Sequence, residues 1–132
     1  MSQGFEEIEN EFGELVRYRR HVNGKGRVAT GAKVHPTAFI QASAYVEPGA
    51  EIGAGAWIGA GSWIERSVRV GTQAVLGASV HVGEGTVVGR GVRIGSHSKV
   101  APAIEIADGL RVPNDSQVRS SLTAASKLAR AA

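Results

Sequence analysis

The 132-residue sequence contains no cysteine, and only 5% of its residues are aromatic. The absence of cysteine excludes disulfide frameworks, cysteine-ligated zinc, iron–sulfur clusters and cysteine nucleophiles. No apolar run approaches the roughly 18 residues that a membrane-spanning helix requires, and no basic stretch followed by an apolar one marks a signal peptide. We therefore expect a protein without a membrane span that works in the cytoplasm or as part of an assembly.

Glycine is the residue that the sequence has in excess. Its 18 glycines are about twice the usual share of roughly 7%. The hydrophobic fraction of 42% and the net charge of only +3 disfavour disorder. Because a glycine-rich chain with few aromatic residues rarely builds one large irregular core, this composition favours a repeat.

Aliphatic residues recur every six positions, without an insertion, over most of the chain. Seventeen residues follow this rule: Val22, Val28, Val34, Ile40, Val46, Ile52, Ile58, Ile64, Val70, Leu76, Val82, Val88, Ile94, Val100, Ile106, Val112 and Val118. We number each of them position 0 of a hexad. Position 4 is mostly small or aliphatic, as at Ala38 and Val68. Because alternate residues of a strand face opposite sides, positions 4 and 0 point inward and position 5 points outward.

Positions 1 to 3 of the hexads hold the residues that favour bends. Fourteen of the 18 glycines occupy position 1 or 3, where we expect a positive φ. All four prolines occupy position 1 or 2, where no hydrogen bond between strands is lost. Each hexad therefore predicts a short strand and a sharp turn, and three hexads predict one coil. Residues 22–119 are thus predicted to form a parallel β-solenoid of about five 18-residue coils.

The hexads 52–57 (IGAGAW) and 88–93 (VGRGVR) resemble the bacterial transferase hexapeptide repeat. The resemblance implies a left-handed parallel β-helix, usually trimeric, in a family whose enzymes are mostly acyltransferases using acyl-CoA or acyl-carrier protein. Residues 112–124 are similar to the closing coil of sugar and amino-acid acetyltransferases at Val112, Pro113, Ser116 and Val118. The family's Gly-Asn-Pro-Ala-Lys segment, which lies beside coenzyme A, is replaced here by SSLTA at 120–124. We therefore expect no measurable affinity for coenzyme A.

Both flanks of the repeat are predicted to be helical. Apolar residues recur at steps of three and four near the N-terminus: Phe5, Ile8, Phe12, Leu15 and Val16. Acidic residues precede basic ones there, as suits a helix dipole, so residues 1–21 are predicted to be an amphipathic capping helix. The Ala-rich residues 120–132 are predicted to be a second helix. The basic cluster at the end of the first segment contains a single aromatic residue, Tyr18, and no set of aromatic residues that would form stacking platforms beside it. We therefore expect no nucleic-acid partner.

Stacking the hexads in steps of 18 predicts three outward columns: Tyr45, Trp63, His81 and Lys99; Phe39, Trp57, Val75, Arg93 and Arg111; and Lys33, Glu51, Arg69, Val87 and Glu105. The last column has mostly alternating charges, which is typical of a solvated face. The other two begin with aromatic residues that a monomer would leave exposed. The sequence therefore predicts an interface made of Phe39, Tyr45, Trp57, Trp63 and Val75. A homotrimer is favoured, and a protein partner on this aromatic face is the alternative.

His81 is the candidate catalytic residue because it lies at an outward position beside Trp63 and Lys99. It lacks an Asp or Glu in its own column to orient the imidazole. His35, in the segment VHPTA, is predicted to be structural; His21 precedes the first coil, and His97 is predicted to be a solvated corner residue. The γ-class carbonic anhydrases share this fold and bind zinc through histidines separated by four residues. Fifteen residues separate His81 from His97, so we expect no metal site.

Two function classes remain open. A non-catalytic structural or interaction scaffold that self-associates, without a cofactor, is favoured by the unbroken repeat and the altered terminal motif. The alternative is an acyl-CoA-dependent O- or N-acyltransferase acting on a sugar or amine acceptor, with a coenzyme A thioester as donor and His81 as base.

Overall fold

The computed structural model describes residues 5–124 and builds them from eighteen β-strands. In chain order the strands are β1 (Phe5–Glu9), β2 (Leu15–Arg20), β3 (Arg27–Ala29), β4 (Lys33–Val34), β5 (Phe39–Ile40), β6 (Tyr45–Val46), β7 (Glu51–Ile52), β8 (Trp57–Ile58), β9 (Trp63–Ile64), β10 (Arg69–Val70), β11 (Val75–Leu76), β12 (His81–Val82), β13 (Val87–Val88), β14 (Arg93–Ile94), β15 (Lys99–Val100), β16 (Glu105–Ile106), β17 (Arg111–Val112) and β18 (Gln117–Val118).

The strands from β3 onward form the three flat faces of a prism. The histidine face contains β3, β6, β9, β12, β15 and β18; the mixed-charge face contains β4, β7, β10, β13 and β16; the arginine face contains β5, β8, β11, β14 and β17. Neighbouring strands in each of these faces are parallel and 18 residues apart. This confirms the predicted parallel β-solenoid of about five coils.

The core of the prism consists of the two inward positions of each hexad. Ile40, Ile58, Ile64 and Leu76 at position 0 have no exposed surface, and Ala38 at position 4 has none either. Burial of these side chains is the main force that stabilises each coil against the next, because the strands themselves are only two or three residues long.

The two glycine positions of the hexad have different physical causes, and the expectation of a positive φ holds at only one of them. Position 3 has a positive φ at Gly85 (76°) and at the non-glycine residue His97 (65°). Gly71, at position 1, does not. A Cβ atom there would lie 2.7 Å from the backbone nitrogen of Arg90 in the next coil. Position 1 therefore requires glycine because the coils approach closely.

The predicted N-terminal helix is wrong over its described part, residues 5–21, and its first four residues lie outside the described range. Strands β1 and β2 form an antiparallel hairpin that pairs with β3. Val16 and Tyr18 are buried while Leu15, at 66%, and Arg17 are exposed, so the segment follows a period of two. The hairpin satisfies the backbone groups of the edge strand β3, which an N-terminal helix would have left unpaired. The segment therefore covers the first coil as predicted, but it does so with two strands.

The solenoid begins at Arg27 and not at residue 22. Val22, the first of the seventeen periodic positions, is 69% exposed. It lies in the turn between β2 and β3, where the His21 N–H donates to the Gly26 carbonyl at 2.8 Å. The turn closes the hairpin onto β3, so this hexad contributes no strand.

The predicted C-terminal helix is wrong over its described part, residues 120–124, and its remaining residues lie outside the described range. Leu122 is 6% exposed and forms a parallel bridge with Ile106. Its N–H donates to the Glu105 carbonyl, and its carbonyl accepts from the Ala107 N–H. The apolar side chain of Leu122 covers the open end of the core. An extended segment can do this while its backbone bonds to residues of β16 and its neighbour, whereas the backbone of a helix is bonded within the helix. Within the described residues no helix is long and apolar enough to cross a membrane.

Candidate functional site

The candidate site lies on the histidine face, where the predicted column is present in the predicted register. Tyr45 pairs with Trp63, Trp63 with His81, and His81 with Lys99. The His81 imidazole lies parallel to the Trp63 indole, with ring centroids 4.5 Å apart and planes inclined by 6°. The stacking fixes the plane of the imidazole.

Glu65 orients His81, and the sequence analysis missed it. The Glu65 carboxylate Oε2 contacts the His81 Nε2 in a close ion-pair geometry. The expectation that no acidic residue orients His81 was wrong because only the directly stacked column was considered. Glu65 directly follows β9, two residues after Trp63, so its side chain faces outward like that of Trp63 and reaches His81 diagonally. Glutamate at position 1, where seven hexads have glycine, was the available signal.

The His81–Glu65 pair has the chemistry of an oriented base. Glu65 accepts the proton on Nε2, which leaves Nδ1 as the basic nitrogen of the neutral ring. The side chains of His81 and Glu65 are 35% and 27% exposed, so the pair is held by protein on one side and open to a ligand on the other.

A chain of hydrogen bonds connects the stacked ring system to the N-terminal hairpin. The Trp63 indole Nε1 donates to Glu47 Oε2 at 2.9 Å, and the Tyr18 hydroxyl donates to Glu47 Oε1 at 2.6 Å. Tyr18 also packs edge-to-face on Tyr45, with centroids 5.4 Å apart. Burial of Tyr18, reinforced by the Glu47 carboxylate, raises the pKa of its hydroxyl above the ordinary value of 10.0. Tyr18 therefore remains a neutral donor that holds Glu47 in place.

The tip of the hairpin, residues 10–14, forms one wall of a cleft beside Glu65. The cleft has a volume of about 370 Å³ and includes Phe12, Trp63, Glu65 and Glu84 in its lining. An ion pair between Arg66 Nη2 and Glu14 Oε1, at 3.1 Å, joins the tip to the coil. Phe12 is 79% exposed, so the tip presents an apolar side chain next to the carboxylate of Glu65.

The other three histidines do not join His81. His21 is 5% exposed, and its Nε2 bonds the Ala38 carbonyl at 2.9 Å. His35 bonds Thr37 within its own turn, a structural role as expected. His97 is exposed at a corner with a positive φ. No three His, Asp or Glu side chains converge on a metal-binding geometry in the described part of the chain.

The predicted interface residues lie on two neighbouring faces. Phe39 and Trp57 stack on the arginine face, with centroids 4.2 Å apart, and Trp57 remains 47% exposed. Val75 follows Trp57 in the same column. Trp63 is 44% exposed on the histidine face, whereas Tyr45 is partly covered by Tyr18 of the same chain. Among the predicted interface residues, the exposed aromatic surface is therefore centred on Trp57 and Trp63.

No protein-family model and no curated protein matches the sequence, but solved acetyltransferase structures resemble the fold. Perosamine N-acetyltransferase from Caulobacter crescentus, solved with CoA and GDP-perosamine, has a TM-score of 0.64 at 23% identity over 72% of this chain and 48% of its own. The acetyltransferase domain of PglB from Neisseria gonorrhoeae has a TM-score of 0.63 at 16% identity over 74% of this chain and 51% of its own. Serine acetyltransferase isoform 3 from Entamoeba histolytica has a TM-score of 0.50 at 23% identity over 75% of this chain and 36% of its own.

This chain spans about half the length of the first two structures and about a third of the length of the third. At these identities the similarity identifies the architecture. Since a right-handed coil does not superpose on a left-handed one, the similarity also supports the predicted left-handed coil. The chain has the left-handed parallel β-helix fold of the hexapeptide-repeat acetyltransferases.

Proposed function

We propose that the chain is an acyltransferase that moves an acyl group from a coenzyme A thioester to a hydroxyl or amine acceptor. The observation that carries this proposal is the contact between His81 and Glu65 at the histidine face. An oriented imidazole is the group that this reaction needs, because an alcohol or a protonated amine must lose a proton to become a nucleophile. The proposal adopts what the sequence alone left as the alternative to a scaffold.

In the proposed reaction, His81 Nδ1 takes the proton of the acceptor as the acceptor oxygen or nitrogen attacks the thioester carbonyl. The carbon–sulfur bond then breaks, and the imidazolium returns the proton to the departing thiolate. Glu65 stabilises the imidazolium and fixes the tautomer. Trp63 holds the ring plane through stacking. With a hydroxyl acceptor, the one proton that His81 removes leaves on the thiol. A protonated amine gives up a second proton, which passes to solvent, and neither reaction needs an oxidant.

The acceptor class is proposed as a sugar or an amine. The structures with similar folds include enzymes whose names specify perosamine and serine as substrates. The cleft beside Glu65 is lined by Phe12 and Trp63, and an aromatic wall of this kind suits the apolar face of a sugar ring. The hairpin tip belongs to no hexad, so it adds to the site a wall that the repeat lacks.

We further propose that the protein is a homotrimer in which Trp57 and Trp63 are buried. The two tryptophans are 47% and 44% exposed and lie on adjacent faces of the prism. Exposed aromatic surface on neighbouring faces is typical of an interface. Packing around a threefold axis brings both tryptophans of each copy into the interface at once.

A non-catalytic scaffold is the second candidate function, favoured by the uninterrupted coils. From β3 to β18 every connection between strands has the length of a hexad turn, so no loop of the repeat closes over a substrate. The segment 120–124 also favours a scaffold, because it lacks the glycine, proline and lysine of the coenzyme A-contacting segment that the resemblance implies.

Titration of the full chain with acetyl-CoA by calorimetry separates the two functions. The altered 120–124 segment predicts no measurable affinity, whereas the proposed acyltransferase requires a dissociation constant below about 100 μM, which corresponds to roughly −5.5 kcal/mol. His81→Ala is expected to leave this constant within a few-fold, because the base acts on the acceptor. The control variant His97→Ala changes an exposed histidine outside the cleft. Absence of binding to the wild-type protein would leave the scaffold as the function.

A further inference from the structure

Two arginines are stacked on the arginine face without an acidic neighbour. Arg93 and Arg111 are direct register partners on the parallel strands β14 and β17, and parallel strands lie roughly 4.8 Å apart. Like charges placed opposite each other destabilise a sheet. The mixed-charge face avoids this arrangement, because Lys33, Glu51 and Arg69 alternate in sign along it. The arginine pair is therefore an exception that the repeat itself does not require.

No carboxylate side chain relieves the repulsion. All twelve Asp and Glu residues lie within residues 5–124, and the ion pairs of that range include neither Arg93 nor Arg111. Asp108 lies three residues before Arg111 but is bound by Arg90, through its backbone N–H at 2.9 Å and through Nη2 at 3.2 Å. These bonds lower the pKa of Asp108, so the Asp108 carboxylate stays charged and is paired with Arg90.

An open groove lies beside the pair, and its polar side chains are donors. The groove has a volume of about 470 Å³ and includes Arg93, Arg111, Ser96 and Asn114 in its lining, with no Asp or Glu. Ser96 Oγ accepts the Ala78 N–H at 3.0 Å and keeps its own proton to donate. Asn114 Oδ1 accepts the Ser96 N–H at 2.8 Å, which leaves the amide nitrogen of Asn114 as a donor. The groove therefore offers two guanidinium groups and two neutral donors to one ligand.

We infer that Arg93 and Arg111 form an anion site that takes a phosphate or pyrophosphate group. A guanidinium binds phosphate oxygens through two parallel N–H bonds. A phosphate carries enough charge and enough oxygens to engage both guanidinium groups, whereas a single carboxylate neutralises only one of them. Arg93 lies two coils beyond Trp57 in the same column, and Arg111 lies three coils beyond it. The pair is therefore outside the part of the face where we propose the trimer contact, and the site needs no residue from another copy. The phosphate belongs either to a free inorganic ion or to a larger ligand such as coenzyme A.

Calorimetric titration of the full chain at low ionic strength, first with inorganic pyrophosphate and then with coenzyme A, tests the inference. We expect saturable binding of at least one of these probes, weakened at least tenfold in both Arg93→Gln and Arg111→Gln. Arg69→Gln is the matched control, because Arg69 is an outward arginine on another face whose register partner is Glu51. Its binding is expected to equal that of the wild-type protein.

The two probes distinguish the source of the phosphate. Binding of both probes with the same sensitivity means that the site accepts either source. Sensitive binding of pyrophosphate alone indicates a free ion, and sensitive binding of coenzyme A alone indicates a ligand phosphate. Absence of binding by both probes, or binding that the two arginine variants do not weaken, would overturn the inference. None of these results depends on turnover, so His81→Ala is expected to bind pyrophosphate as the wild-type protein does.

A melting experiment verifies that the variants fold and tests the repulsion itself. Without phosphate at low salt, Arg111→Gln is expected to unfold at a higher temperature than the wild-type protein, because the opposed charge is removed. Saturating pyrophosphate is expected to raise the melting temperature of the wild-type protein clearly more than that of Arg111→Gln. Equal shifts in both proteins would contradict a site at this pair.

Discussion

At the scale of single residues, the hexad assigns a distinct physical requirement to each position. The turn between coils places position 3 in the left-handed region, at Gly85 and at the non-glycine residues Ser67, Gln73 and Asp115. The amide of position 4 donates to the carbonyl of position 1, as from Thr86 to Gly83. This bond together with the positive φ at the third residue describes a type II turn. The conformation at position 3 thus tolerates polar side chains but opposes branching at Cβ.

Gly85→Val is expected to lower the free energy of unfolding by about 1–3 kcal/mol, because a β-branched residue is strained at φ 76°. A Cβ atom there meets nothing within 4 Å, so the expected loss comes from the backbone conformation. Denaturant unfolding of Gly85→Val and of the control Gly85→Asn measures the difference. Asn adopts the left-handed region readily, so its loss is expected to be clearly smaller. Equal losses in the two variants would refute the assignment of strain to this turn.

His21 makes stability depend on pH. Burial lowers its pKa below the ordinary value of 6.5, more strongly than the bond to the Ala38 carbonyl raises it, and Arg19 lowers it further. The unfolded chain therefore takes up a proton on His21 at a higher pH than the folded chain does. The contribution of His21 to stability is complete above pH 6.5 and declines as the pH falls through 6.5 toward the lower folded-state pKa.

Melting temperatures of the wild-type protein and His21→Gln between pH 7.5 and 5 test this dependence. The Gln side chain retains a donor for the Ala38 carbonyl but does not titrate. We expect the wild-type melting temperature to fall more steeply with acidification than that of His21→Gln. Parallel curves for the two proteins would show that His21 is not the titrating group.

At the scale of the elements, buried hydroxyl groups link successive coils. Thr86 has no exposed surface; its Oγ1 donates to the Ala101 carbonyl at 2.7 Å and accepts the Ile104 N–H at 3.2 Å. Ser62 and Ser98 make equivalent bonds at other corners. Position 4 therefore accepts Ser or Thr where the hydroxyl can bond to backbone groups of the next coil.

Thr86→Val is expected to lower the free energy of unfolding by about 1–3 kcal/mol, because it leaves a buried N–H and a buried carbonyl without partners. Valine has nearly the shape of threonine, so the loss does not come from a cavity. The control Thr86→Ser keeps the hydroxyl and removes a methyl group, which costs about 0.8 kcal/mol. A Thr86→Val protein as stable as the wild-type protein would mean that these hydroxyl bonds contribute nothing net.

The elements also mark where sequence reasoning succeeded and where it failed. The register of the coils followed from the six-residue period, because an insertion anywhere would have displaced Leu76 or Val82 from the core. The hairpin was missed because the order of Glu6 and Glu7 before Arg17, Arg19 and Arg20 suggested a helix dipole. In the structure the two glutamates form pairs between strands, Glu7 with Arg17 at 3.2 Å and Glu6 with Arg27 at 2.6 Å.

The candidate site was predicted only in half. His81 was identified because its outward position follows from the repeat alone. Its contact with Glu65 needs the side chain of one coil to cross diagonally to the next, and this depends on rotamers that a period does not encode. The connection of Trp63 through Glu47 to Tyr18 likewise depended on the hairpin.

At the scale of the whole molecule, the prism has three chemically different faces. The histidine face carries the His81–Glu65 pair, the mixed-charge face alternates in sign, and the arginine face changes from aromatic at Trp57 to cationic at Arg93. A rigid solenoid keeps these surfaces at fixed angles. Self-association and ligand binding therefore meet at Trp63, which belongs to the proposed interface and also lines the cleft beside Glu65.

The proposed trimer predicts a molar mass three times that of the chain by multi-angle light scattering at micromolar concentration. Trp57→Lys is expected to reduce this mass toward that of a monomer, because it places a charge in the interface. Val87→Lys is the control, since Val87 is also an exposed apolar residue, at 37%, but lies on the mixed-charge face. A monomeric wild-type protein, or a trimer that Trp57→Lys does not affect, would exclude this interface.

The most direct measurement of the central claim is the rate of thiol release from acetyl-CoA in the presence of glucosamine or L-serine as acceptor. We predict acceptor-dependent release by the wild-type protein and a loss of about 10²–10⁴-fold in His81→Ala, the usual contribution of a general base. Glu65→Gln is predicted to lose part of this rate, and the control His97→Ala none. Release by His81→Ala at the wild-type rate would contradict the assignment of His81 as the base.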